Sequence, residues 1–140
     1  MKITGGCFCG EITYAGEIEE TRIGICHCRD CQIFSGSAYR LATGMEPGAL
    51  EFLTGTPKYF DKTAESGKIR RMAFCGTCGT HLCSLPTDPS EAGAFISMRI
   101  ATADQFSELT PGFELFCSSQ VDWQPPVEGT LRFDKMPENL

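Results

Sequence analysis

Residues 26–31, CHCRDC, set Cys26, Cys28 and Cys31 around one histidine, His27. Two further pairs lie on either side: Cys7 and Cys9 in GGCFCG, and Cys75 and Cys78 in FCGTCG. Nine cysteines is an odd total, which fits poorly with a fully paired disulfide framework. The opening MKITGGCFCG lacks the apolar stretch of a secretion signal. The chain is therefore expected in the cytoplasm, where clustered cysteines hold metal more often than they form disulfides.

Spacing divides these cysteines into two sets. In Cys75-x-x-Cys78-Gly the chain can turn tightly enough for both sulfurs to meet one ion. Gly76 and Gly79 are expected to take the positive φ of such a knuckle, whose backbone N–H groups then donate to the thiolates. Cys7 and Cys9, framed by Gly5, Gly6 and Gly10, are suited to supply the other half. Four thiolates at about 2.3 Å complete a closed tetrahedral zinc site. It would clip the N-terminus to the middle of the chain, a cross-link worth several kcal/mol to folding. The plainer alternative is that Cys7 and Cys9 are small buried residues.

The central set is different. In an extended segment Cys26 and Cys28 share a face and His27 points away. A turn at Arg29–Asp30 brings Cys31 back beside them. Three thiolates then hold one zinc with a fourth position open, the usual mark of a catalytic site. Zinc with three thiolates carries about one negative charge, so it activates water poorly and suits a soft ligand such as an incoming thiol. Cys83, Cys117 or His81 folding back would close the site instead. Haem attachment is excluded, because Gln32 follows Cys31 and Gly79 follows Cys78.

These ligands need rigid, closely spaced elements. Glycine and proline punctuate the chain often, and short runs of β character lie between them: EITYAGE, RIGICHC, SAYRLATG, LEFLTG, PKYFDKT, KIRRMAFC, GAFISMRI and TLRFDK. No long 3.6-residue apolar period occurs. The expectation is an all-β domain over residues 1–140, with short helical turns at 29–35 and 101–108. Residues 110–140 read as an irregular wrap ending in one more strand.

A net charge of −6 argues against general nucleic-acid binding. Lys68, Arg70 and Arg71 make one local basic patch, read as a solvated face. No apolar run is long enough to span a membrane.

In their order, GGCFCG, CHCRDCQIFSGSAY and FCGTCGTHL resemble the glutathione-dependent formaldehyde-activating enzyme family, which includes centromere protein V relatives. The likeness covers nearly the whole chain, and VDW near the end is similar to the family's late tryptophan. It implies a β-tent of small antiparallel sheets pinned by two zinc ions per chain. In the family the first pair and the C-x-x-C-G pair hold a structural zinc, here Cys7, Cys9, Cys75 and Cys78. The central trio holds a second zinc that acts with glutathione, here Cys26, Cys28 and Cys31. The implied reaction is reversible addition of the glutathione thiol to formaldehyde, a carbon–sulfur lyase activity. Cys83 and Cys117 stand outside the seven.

Arg29 and Arg40 are the candidates to pair with glutathione carboxylates. Asp30 is expected to accept a hydrogen bond in the metal turn, and His27 to satisfy a backbone group. Trp123, Phe113 and Phe116 are candidates to roof a pocket. Two other functions fit the cysteines less completely: a non-catalytic zinc-stabilised binding module, and a redox enzyme such as a methionine sulfoxide reductase. The second lacks a suitable catalytic cysteine stretch.

Overall fold

A computed structural model describes residues 1–138 of the chain. The elements in order are β1 (Lys2–Gly6), β2 (Thr13–Glu17), β3 (Ile23–Cys26), α1 (Arg29–Ser35), β4 (Arg40–Met45), β5 (Leu50–Thr54), β6 (Lys58–Thr63), β7 (Ile69–Phe74), β8 (His81–Pro86), β9 (Ile96–Met98), β10 (Phe113–Leu115) and β11 (Leu131–Arg132). The fold is mostly β, with one short helix and several 3-10 turns, as the punctuation of the sequence implies. The helical reading at 101–108 resolves into two such turns, Ile100–Thr102 and Phe106–Glu108.

Two sheets form. The smaller runs β1-β2-β5, and the larger runs β11-β10-β3-β4-β9-β8-β7-β6. Short strands therefore do assemble into a wide sheet, because partners distant in sequence complete it. β10 lies parallel to both β3 and β11, while the other pairings are antiparallel. The wrap after residue 110 thus contributes two strands rather than one.

Alternation sets which faces are buried. β1 buries Ile3 and exposes Lys2 and Thr4, and Ile12 and Tyr14 are sealed beside it. The core joins Ile3 and Tyr14 of the small sheet to Ile23, Met45, Leu82 and Met98 of the large one. Cys7, Cys75 and Cys83 belong to the same cluster. Gly24 has a specific reason to lack a side chain. A Cβ there would lie 2.0 Å from the Phe113 ring, which crosses β3 from β10.

The basic patch does not survive as a patch. Arg71 pairs with Asp61 at 2.9 Å and Lys68 with Glu91 at 3.4 Å. Arg70 turns to the Ser84 and Phe95 carbonyls instead.

Candidate metal centres

The first centre is built by two knuckles. Gly79 N–H donates to Cys75 O at 2.9 Å, closing the turn around Cys75 and Cys78. Gly79 takes φ 78°, as its position requires. Gly76 does not; a Cβ there would stand 2.8 Å from the Lys58 side chain. Gly10 N–H donates to Cys7 O at 3.1 Å and closes the other knuckle at φ 81°. Phe8 N–H donates to Thr80 Oγ1 at 3.0 Å, joining the two turns.

Cys7, Cys9, Cys75 and Cys78 bring their sulfurs within 4.8 Å of one another. Four thiolates tetrahedral about a zinc ion would lie about 3.8 Å apart. Cys7 and Cys9 sulfurs are separated by 3.6 Å, and Cys9 and Cys75 sulfurs by 3.8 Å. The set therefore fits a tetrahedral ion. Backbone N–H groups of Ile12, Thr77 and Cys78 point at Cys7 and Cys75 sulfurs at 3.3–3.5 Å. The Thr80 hydroxyl and N–H bring the Cys78 thiol down to about 5. Against the lowering pull of the Glu11 N–H, desolvation and the neighbouring sulfurs push Cys9 up to about 12. Protons are thus shared unequally among the sulfurs, and a dication in their midst would displace those that remain.

The second centre sits where β3 passes into α1. Cys26 ends the strand and is buried, while Cys28 and Cys31 are half-buried. Cys28 is the N-cap of the helix: its sulfur accepts the Cys31 N–H at 3.4 Å. The three sulfurs lie within 4.8 Å of one another. Among the described residues no other Cys, His, Asp or Glu ligand atom joins that group. Cys83 is sealed in the core, and burial pushes its thiol up to about 12. Cys117 turns to the Glu114 carbonyl. His81 is held between the rings of Phe34 and Phe74.

Charge at this centre is organised around Arg40. Its Nε donates to Cys31 Sγ at 3.1 Å and its Nη1 to Ser97 Oγ at 2.7 Å. The sulfurs of Cys26 and Cys28, with Arg40, hold the Cys31 thiol far below the ordinary range. The sulfurs of Cys28 and Cys31, with burial, push Cys26 far above it.

His27 points away from the sulfurs, as alternation requires, but not to a backbone group. Its Nε2 meets the Glu114 carboxylate at 2.8 Å, with both side chains buried. Asp30 also departs from expectation, pairing with Lys62 at 3.0 Å. Arg29 lines a shallow cleft of about 450 Å³ with Gln32, Val121 and Trp123 beside the metal turn. Trp123 is exposed, whereas Phe113 packs over Gly24. No motif marks Glu114 or Arg99. The available signal for Arg99 was a charge set between Met98 and Ile100 in an otherwise apolar run.

Residues 2–119 match the family model described as glutathione-dependent formaldehyde-activating enzyme. The chain belongs to this family. A relative from Schizosaccharomyces pombe, called an uncharacterized lyase, is 28% identical over 56% of this chain. The match spans about half of that relative, 53% of its length. A crystal structure of a Rhodobacter sphaeroides protein superimposes with a TM-score of 0.56 at 17% identity. It covers 72% of this chain and 87% of the other, and shows the shared fold. The scaffold of this family member carries two clusters of cysteine sulfurs able to hold metal.

Proposed function

We propose that this chain is a zinc-dependent carbon–sulfur lyase that reversibly adds a thiol, glutathione, to formaldehyde or a similarly small electrophile. The observation that carries the reading is the inequality of the two centres. One gathers four sulfurs on two closed knuckles. The other gathers three, of which Cys28 and Cys31 are half-buried, with no fourth protein ligand among the described residues.

Cys7, Cys9, Cys75 and Cys78 would hold a structural zinc. Cys26, Cys28 and Cys31 would hold a second, which when bound supplies a soft cation able to lower the pKa of a thiol. The remaining work falls to the protein. Arg40 offsets the negative charge of the three thiolates and fixes Cys31. Arg29, at the cleft with Gln32 and Trp123, would pair with one glutathione carboxylate, and Arg40 with another. Holding thiol and aldehyde together replaces a bimolecular encounter. In the forward direction a sulfur–carbon bond forms, the carbonyl π pair moves to oxygen, and the thiol proton ends on that oxygen. Nothing is oxidised or reduced. The domain spanning the whole chain and its cytoplasmic setting, rich in glutathione, belong to the same proposal.

The test is exchange spectroscopy of formaldehyde with glutathione, with and without the zinc-replete protein. Acceleration above the spontaneous rate, lost in Cys28→Ser, supports the reading. No acceleration, with tight zinc at the first centre only, would leave a zinc-stabilised binding module in its place.

A further inference from the structure

Three arginines, Arg40, Arg99 and Arg70, lie close together on neighbouring strands beside the second centre, and none of them has a carboxylate partner among the described residues. Arg40 on β4 and Arg99, directly after β9, both donate to the Ser97 hydroxyl, at 2.7 Å and 3.4 Å. Arg99 is 9% exposed. Its Nη1 also reaches the Ser97 carbonyl at 3.2 Å, and its Nε and Nη2 find no acceptor among the described residues. Arg40 Nε and Nη1 serve Cys31 and Ser97, and its charge also bears on Cys26. Arg70 brings a third positive charge nearby, with its Nη2 donating to the Ser84 hydroxyl at 3.0 Å. Ser84 pairs with Ser97 across β8 and β9. His81 completes the group, with Nδ1 buried and unpartnered.

Burying a cation without a counter-charge is costly, and like charges sharing one hydroxyl make it worse. Burial, followed by the charge of Arg40, brings Arg99 down to about 10, and burial, followed by the charge of Arg99, depresses His81. Thiolates do not settle the account. A dication with three thiolates carries one negative charge, and Arg40 alone cancels it. Arg99 and Arg70 remain in excess.

We infer that Arg40, Arg99, Ser97 and His81 form a buried anion pocket beside the three-sulfur centre, and that its ligand is a carboxylate. Planar guanidinium forks with unspent N–H donors match a planar two-oxygen anion. Arg40 and His81 are partly exposed, which gives the pocket a mouth. The pocket stands on its own geometry. Only the assignment of its carboxylate to a substrate rests on the lyase reading. That carboxylate has two sources, the thiol substrate or a carboxyl-bearing aldehyde of the glyoxylate kind, for which formaldehyde would be a truncated analogue.

The experiment uses the zinc-loaded full chain at constant ionic strength, with formate as the probe. Calorimetry is expected to show one formate site, weakened about tenfold or more in Arg99→Met. In formate-free buffer Arg99→Met should melt higher than the wild type, because an uncompensated buried charge is gone. An arginine serving only as packing predicts a lower melting temperature. Arg99→Lys keeps the charge but not the fork, so it covers the case in which the methionine variant fails to fold; it too should bind formate more weakly. Equal formate binding in the wild type and in either folded variant, or no binding at all, overturns the pocket. Competition with formate by glutathione assigns the pocket to the thiol, and competition by glyoxylate to the aldehyde. Formate binding without any thiol-addition activity would retain the pocket and remove the lyase reading.

Discussion

His27 Nε2 and Glu114 Oε1 lie 2.8 Å apart, each side chain 1% exposed, although 87 residues separate them. A carboxylate only accepts, so Nε2 carries the hydrogen. The other Glu114 oxygen accepts from Val127 N–H at 3.2 Å, Thr130 Oγ1 at 2.6 Å and Arg132 Nη1 at 2.7 Å. One buried carboxylate therefore fastens the residue between two predicted metal ligands to β10 and to the chain leading into β11. Glu114→Ala would leave both His27 nitrogens buried without partners, since Nδ1 has none already. The expected cost is about 3–5 kcal/mol, read from urea unfolding of zinc-saturated protein. A loss below about 1 kcal/mol would mean that water replaces the carboxylate fully.

The same residue sets a pH dependence. Burial raises the Glu114 pKa, but hydrogen bonds from Thr130, His27 and Arg132 outweigh it, and the net shift is downward. A carboxyl depressed in the folded state adds stability above its unfolded pKa of about 4.3 and loses it as pH falls through the folded value. Acid release of whatever metal the sulfurs hold would affect every variant alike, so the informative quantity is the gap between wild type and Glu114→Gln. That gap should be full at pH 6–7 and should close as pH drops below about 4. A gap constant from pH 7 to pH 3 would show that the carboxylate charge contributes nothing.

Gly24→Ala tests the contact that seats β10. The added methyl would meet the Phe113 ring at 2.0 Å, far inside van der Waals contact. Phe113 is paired in register with Gly24, so either the ring changes rotamer or β10 shifts on β3. Overpacking of this kind costs about 1–3 kcal/mol. Faster amide exchange should appear at His27, whose N–H bonds to Leu115 O at 3.0 Å. Unchanged stability and exchange would show that β10 is free to shift.

The two sulfur sets were legible from spacing alone, because a metal turn is local: Cys75 and Cys78 need only one knuckle, and Cys28 and Cys31 one helix start. Helix α1 at Arg29–Ser35 was readable for the same reason. Partners that meet across the sheet were not. β8, bearing His81 and Cys83, went unread because Leu82, Cys83 and Ser84 are buried in succession and leave no alternation. β10 is only three residues long and pairs in parallel. Asp30 finding Lys62, His27 finding Glu114 and Arg40 sharing Ser97 with Arg99 all depend on strand order, which no local pattern encodes.

The difference between the two centres can be tested with one atom changed in each. Cys75 is fully buried, accepts two backbone N–H groups, and belongs to the core cluster. Cys75→Ser removes a ligand from the clip between the N-terminal and central knuckles, and the shorter oxygen cannot reach the other three sulfurs. Metal affinity there is folding free energy, so a loss of several kcal/mol is expected, enough to unfold a domain of this size at 37 °C. Cys28 is half-buried, and its sulfur caps α1. Serine is a better N-cap than cysteine, because its hydroxyl oxygen accepts a helix N–H strongly. Cys28→Ser should therefore keep its melting temperature within a few degrees of wild type while the zinc content falls from two ions per chain to one. Differential scanning calorimetry with metal analysis on the same samples reads both quantities. Equal destabilisation by the two substitutions would mean that both centres are structural, and the three-sulfur site would lose its claim to chemistry.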